Sequence, residues 1–189
     1  MRNAVLKATA KVVGVIVVLF IALIVLAWVT EPTVQAGVPA TVNHGLTLEE
    51  MIQAANVGWV NPDINSERFP VETGGIEEVT VDFLSMDLLL KLLDGGMVVE
   101  EIGKLGYRPA THEEVLASAA SQPEFIRQFL PIAVLQPIWT SPHGNSHFIG
   151  LLRVGSRTGL DTIWLEGSFR DAPWNFAVVK TTPGESATS

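Results

Sequence analysis

No cysteine occurs in the 189 residues. That excludes disulfides, thiolate metal sites, a cysteine nucleophile and a lipoprotein anchor, so the folded part must be held by its core alone. Basic residues are scarce, 12 against 20 acids, for a net charge of −8. Such a balance does not suit nucleic acid or anionic lipid headgroups as partners, and solubility is reason enough for it. Several catalytic signatures are missing too. There is no H-E-x-x-H and no G-x-S-x-G elbow, and Gly95-Gly96 lacks the Lys-Ser/Thr of a phosphate-binding loop. No cofactor is implied.

What the chain does have is one long apolar run. From Val12 to Thr30 (VVGVIVVLFIALIVLAWVT) nineteen residues pass without a charge. At a rise of about 1.5 Å per residue, a helix of that length matches the ~30 Å hydrocarbon core of a bilayer. Arg2, Lys7 and Lys11 precede the run and Glu31 follows it. This asymmetry predicts a cytoplasmic N-terminus over residues 1–11, a transmembrane helix over 12–30 and export of everything after residue 31. The competing reading is a signal peptide cleaved near Ala36, although the apolar run exceeds the usual h-region. Both place the remainder outside the cytoplasm. Arg2, Lys7, Lys11 and Glu31 are the only charges before residue 37, so the exported part carries a net −10.

Residues 31–45 (EPTVQAGVPATVNHG), rich in Pro, Gly and small residues, read as a linker. Thr47 with Glu50 forms a capping box that opens a helix to about Asn56. An irregular stretch with two prolines follows. "IEEVTVDFL", Ile76 to Leu84, alternates apolar and polar positions and reads as a strand. "MDLLLKLLDGG" is a helical apolar run stopped by Gly95-Gly96, and "MVVEEIGKLGY" adds a helix with Val98, Ile102 and Leu105 on one face and Gly106 as C′ cap. After Ile132 four short apolar runs alternate with turn-rich segments, as in an antiparallel meander of four strands. Pro137 inside the first of these predicts an edge strand or a bulge. Trp139, Trp164, Trp174 and Phe176 are the heaviest core candidates, and residues 181–189 read as a disordered tail. Helices first and strands last make an α+β domain over residues 46–180.

Several places carry side chains that could do chemistry. In "GYRPATHEEVL", Gly106 to Leu116, Pro109 extends Arg108, Thr111 and Glu114 form a second capping box, and Glu113 favours the helix dipole. Neighbouring carboxylates point about 100° apart on a helix, so this pair is a helix start and not an acid/base couple. Ser121 to Glu124 looks like a third box with Pro123 in its first turn. The pairs Glu49-Glu50, Glu77-Glu78 and Glu100-Glu101 read as solvated faces. His143 and His147 have the spacing of a helical zinc pair, but Pro142 and Gly144 put them in a turn, where that spacing loses its meaning. No catalytic residue and no metal ligand is assigned. Arg108 is the one candidate ligand-binding residue, beside the simpler possibility of an internal salt bridge.

The ordered runs "GWVNPDINSERFPVE", "EVTVDF", "LGYRPATHEEVLA", "FLPIAVLQPIW" and "NFAVVK" resemble an uncharacterised protein family of candidate-phylum bacteria. Its motifs are V-N-x-x-I-x-x-x-x-F-P, G-x-R-P-A-T-x-E-E-L and a closing F-x-A-V-x-K. The likeness covers residues 47–180, with departures at "MDLLLKLLDGG" and "PHGNSH". It implies no activity and transfers no catalytic residue. A more distant likeness is to C-type-lectin-like domains, through Arg108 to Glu114, Trp139-Thr140-Ser141 and Phe176 to Lys180. It implies a lectin-like fold without the calcium-sugar signature. These readings converge on a single-pass membrane protein with an extracytoplasmic binding or structural module, its ligand or protein partner unknown. The alternative is a carboxylate-based cell-envelope hydrolase, which needs Glu114 and Asp161 or Asp171 to converge in one pocket.

Overall fold

The computed structural model describes residues 32–85, 95–166, 169 and 172–181. The chain divides into two compact units, Met1–Glu31 and Pro32–Ser189, and every described residue belongs to the second. The transmembrane reading of residues 12–30, the helix expected over residues 86–94 and the tail after residue 181 lie outside the described residues, while Gly95-Gly96, expected to stop that helix, open the next one. Among the described residues no helix is long and apolar enough to cross a membrane.

The domain is α+β, a large mixed sheet with helices against it. Strands β1 (Thr33–Asn43), β2 (Trp59–Val60), β3 (Ile76–Ser85), β4 (Tyr107–Pro109), β5 (Ile132–Thr140), β6 (Ser146–Val154), β7 (Arg157–Trp164) and β8 (Asn175–Lys180) join in the order β1-β3-β8-β5-β6-β7-β2, with β4 also on β8. The helices are α1 (Leu48–Ala54), α2 (Gly95–Lys104), α3 (His112–Ser121) and α4 (Pro123–Ile126), the last running into a 3-10 turn at Arg127–Phe129.

Two expectations are corrected at once. Residues 31–45 are no linker, because Thr33–Asn43 is the first strand, antiparallel to β3 from Thr33↔Ser85 to Asn43↔Ile76. Val38, Ala40 and Val42 alternate into the core. Pro39 lies between them on a strand at the margin of the sheet, where a missing N–H costs little. The meander is also three strands, not four. β5, β6 and β7 pair in sequence, but β8 turns back to insert between β3 and β5, antiparallel to the one and parallel to the other.

That insertion explains the burial pattern of β5. Ile132 and Val134 join one apolar cluster, which includes Val81, Phe83, Ile149 and Leu151. Ala133 and Leu135 join a second with Leu84, Phe148, Trp174 and Phe176. A strand covered on both faces needs a continuous apolar run, and "IAVL" supplies it. Helices α1 and α3 cover the first cluster through Leu48, Met51, Val115 and Leu116. Helix α2 covers the second through Val98 and Ile102. Pro137 marks a bulge and not an edge. β5 is internal, and its register against β6 shifts between Val134 and Trp139. Trp174 and Phe176 are buried as expected; Trp164, at the outer end of β7, is 56% exposed and is no core residue.

Local signals account for most helix ends. Thr47 and Thr111 each close a complete capping box. The third box does not form. Gln122, not Ser121, caps α4 and makes no side-chain cap bond, while the Ser121 hydroxyl donates to the carbonyls of Ser118 and Pro39. Leu105, expected on the buried face of α2, is exposed. Gly106 follows α2 with φ +80, and a Cβ there would meet nothing within 4 Å. Only backbone strain is therefore at stake. Gly106→Ala is expected to lower stability by about 1 kcal/mol, read as a shift in urea midpoint at constant slope; an unchanged midpoint would refute the cap.

Candidate functional site

The turn Thr111–Val115 is where buried charge concentrates. His112, Glu113 and Glu114 are 2%, 0% and 3% exposed, although a helix start built for solvent would leave them outside. Each one faces a different neighbour.

Glu114 completes the cap. Its Oε2 accepts the Thr111 N–H at 2.7 Å, and the Arg108 guanidinium donates to both carboxylate oxygens, at 2.6 and 2.9 Å. Strand β4, paired to β8 from Tyr107↔Lys180 to Pro109↔Val178, holds Arg108 extended at that distance. Arg108, the candidate ligand-binding residue, is thus half of a forked, partly buried ion pair.

Glu113 turns the other way. Its Oε1 accepts the Glu72 N–H at 2.6 Å, and its Oε2 lies 2.5 Å from His44 Nδ1. His44 Nε2 lies 3.6 Å from a Glu77 carboxylate oxygen at the surface. One buried carboxylate thereby fastens the loop after β1 and the loop before β3 to the start of α3. Sequence reasoning missed this pair. His44 fell in the supposed linker, and Glu113 was explained by the dipole alone. The available signal was periodicity, since Glu113 shares a helical stripe with Leu116, Ala117 and Ala120 and so belongs to an inward face.

That stripe walls a groove of about 330 Å³ between β1, α1 and α3. Small side chains create the space. Ala117 and Ala120 on α3 oppose Ala54 on α1, while Met51, Leu46 and Leu116 supply apolar surface. Thr41, Asn43 and Ser121 contribute polar atoms, and Glu113 is the charged residue of the lining. The volume falls in the range of small-ligand sites, and the pattern of aliphatic wall with few polar groups is the usual one.

His112 points into the sheet side of α3. It sits edge-on to Phe69, ring centroids 6.5 Å apart, beside a small apolar void lined by Leu48, Leu116 and Val134. Burial pushes its pKa down to about 4, with the Gln136 backbone opposing. It is a neutral core imidazole.

The remaining candidates do not assemble. Asp161 accepts from Asn61 Nδ2 at 2.6 Å on β7, apart from the groove lining, and Asp171 lies outside the described residues. Neither Glu114 nor Asp161 is among the residues that line the groove. His143 is exposed in the β5–β6 turn, where the Ser141 hydroxyl accepts the Asn145 N–H. His147 is on β6, aligned with Trp139 on one side and Trp164 on the other. Its ring centroid lies 5.2 Å from that of Trp139 and 6.4 Å from that of Trp164. Among the described residues no three His, Cys, Asp or Glu side chains form a group that could hold a metal ion. The sequence matches no protein-family model and no curated protein, and no solved structure matches the fold.

Proposed function

We propose that this chain is a membrane-anchored, extracytoplasmic binding module whose ligand occupies the groove between β1, α1 and α3. The observation that carries the reading is the groove itself. It is an aliphatic recess of about 330 Å³ flanked by a few polar atoms, on a domain whose neighbouring charged groups are already engaged with one another. Glu113 holds the Glu72 amide and faces His44, and Glu114 holds Arg108. Glu113, the charged residue of the groove lining, is committed through Oε1 to the Glu72 amide and lies 2.5 Å from His44 Nδ1 through Oε2, which favours binding over turnover. The anchor rests on the uncharged run from Val12 to Thr30 and its basic N-terminal flank.

Ala120→Trp would fill the groove from the exposed side of α3. The full chain in lipid nanodiscs, screened on peptide and glycan arrays, should retain ligands that this variant loses by tenfold or more at unchanged thermal stability. Equal binding by both proteins would sink the groove reading. Hydrolysis of a generic ester or glycoside panel, lost in the same variant, would instead favour the carboxylate-based hydrolase. In sealed right-side-out vesicles, added protease should reach residues beyond 31; protection of that part would overturn the orientation.

A further inference from the structure

The groove runs along a strand edge, and that edge has an open backbone position at Thr41. Among the described residues β1 is at the end of the sheet, paired on one side only, to β3. In an extended strand the N–H and C=O of alternate residues point to the same side. His44 continues the ladder toward β3, its N–H donating to the Gly75 carbonyl at 3.1 Å. Residues one position removed point away from β3. The Asn43 carbonyl accepts the Leu46 N–H outside the ladder, and the Pro39 carbonyl accepts the Ser121 hydroxyl at 3.4 Å. Thr41 lies midway between them and shares their direction. Among the described residues nothing bonds its outward N–H and C=O, and Thr41 itself lines the groove.

An unpaired donor and acceptor beside an aliphatic recess is the arrangement that takes an added strand. The backbone supplies pairing and the recess reads one side chain. A small apolar molecule would fill the recess but leave the Thr41 pair to water. Charge narrows the class further. Glu78 and Glu77 stand opposite Thr41 and Val42 in register, both exposed, and the Thr41 hydroxyl donates to Glu78 at 2.7 Å. The part after residue 36 carries a net charge of −10.

We propose that the ligand is an extended basic peptide segment. It adds to the open edge of β1 through Thr41 and lowers one branched aliphatic side chain between Met51, Ala117 and Ala120. The proposal rests on the groove reading and names its ligand class.

The test uses the full chain in detergent micelles, labelled at methionine methyls and backbone amides. Three probes are titrated: the blocked pentapeptide Lys-Thr-Leu-Thr-Lys, the same peptide N-methylated at leucine, and isoamyl alcohol, which can fill the recess but cannot pair. The expected result is that the plain peptide moves the Met51 methyl and slows exchange of the Thr41 amide. N-methylation, and separately Thr41→Pro, should each weaken binding about tenfold, the order expected for losing one backbone hydrogen bond in a desolvated site. Should Thr41→Pro fail to fold, the N-methylated peptide on the unaltered chain decides alone. Equal affinity for the two peptides, or an alcohol that moves Met51 while neither peptide does, overturns strand addition and leaves the groove reading standing. No response to any of the three overturns both.

Discussion

Arg108→Ala will destabilise the domain by about 3 kcal/mol, near the lower end of the range for stranding one member of a buried ion pair. The cost arises on the partner. Glu114 is almost fully buried, whereas the Arg108 side chain is 33% exposed, so truncation strands a carboxylate inside while solvent softens the loss. The Thr111 N–H would still be accepted at the cap, which alone cannot balance the charge. Two further variants separate charge from packing. Arg108→Lys keeps the charge but loses the fork and should fall between. Arg108→Ala with Glu114→Gln should recover most of the loss, since a neutral amide can still accept the cap bond. Chemical denaturation of the full chain in detergent measures all three. If the double variant is as unstable as the single one, the carboxylate is not the source. If Arg108→Ala is neutral, the ion pair contributes nothing.

The second large effect is on pH. His112 titrates near pH 4 in the fold against roughly 6.5 in the unfolded chain. As pH falls through 6.5 the unfolded state takes up the proton first, so stability is complete above 6.5 and drains away down to about pH 4. The full difference is about 3 kcal/mol. His112→Leu removes this slope, and its apolar side chain suits the surroundings of Phe69, Leu48 and Val134. Carboxylates titrate in the lower part of the same window, so the informative quantity is wild type minus variant between pH 6.5 and 5. Parallel curves there would mean that His112 is not the group responsible.

Local order was legible wherever a single short rule governs it. Thr47 and Thr111 with their glutamates, Gly106 with its positive φ and the alternation of Val79, Val81 and Phe83 all depend on neighbours a few residues away, and all stand as read. Pairing across the chain was not legible. Nothing in "NFAVVK" says that it enters between β3 and β5, because strand order is decided by which faces can be covered together. β1 was missed for a related reason. Pro39 and Gly37 signal a loop, and only their position on an outer strand makes them harmless. At the site, the Thr111–Glu114 cap could be read directly, whereas Arg108 was read as a candidate ligand-binding residue without its partner Glu114. Glu113 could not, because its role depends on His44 and Glu72, which lie far off in sequence and approach only once β1 and β3 have paired.

The opening turn of α3 also bears on how the domain comes apart. His112 reaches into the core, Glu113 into the loops before β3 and after β1, and Glu114 back to β4. That turn cannot fray by itself, as a helix end usually does. Releasing its amides to solvent means withdrawing three side chains from three separate parts of the chain, so its opening belongs with unfolding of the whole. Ala117 to Ser121, at the other end of the same helix, are tied to β1 by the Ser121 bond to Pro39, with Ser118 and Ala119 buried. One ten-residue helix thus carries its polar ties mainly at its start, and the groove runs along it from Glu113 to Ser121.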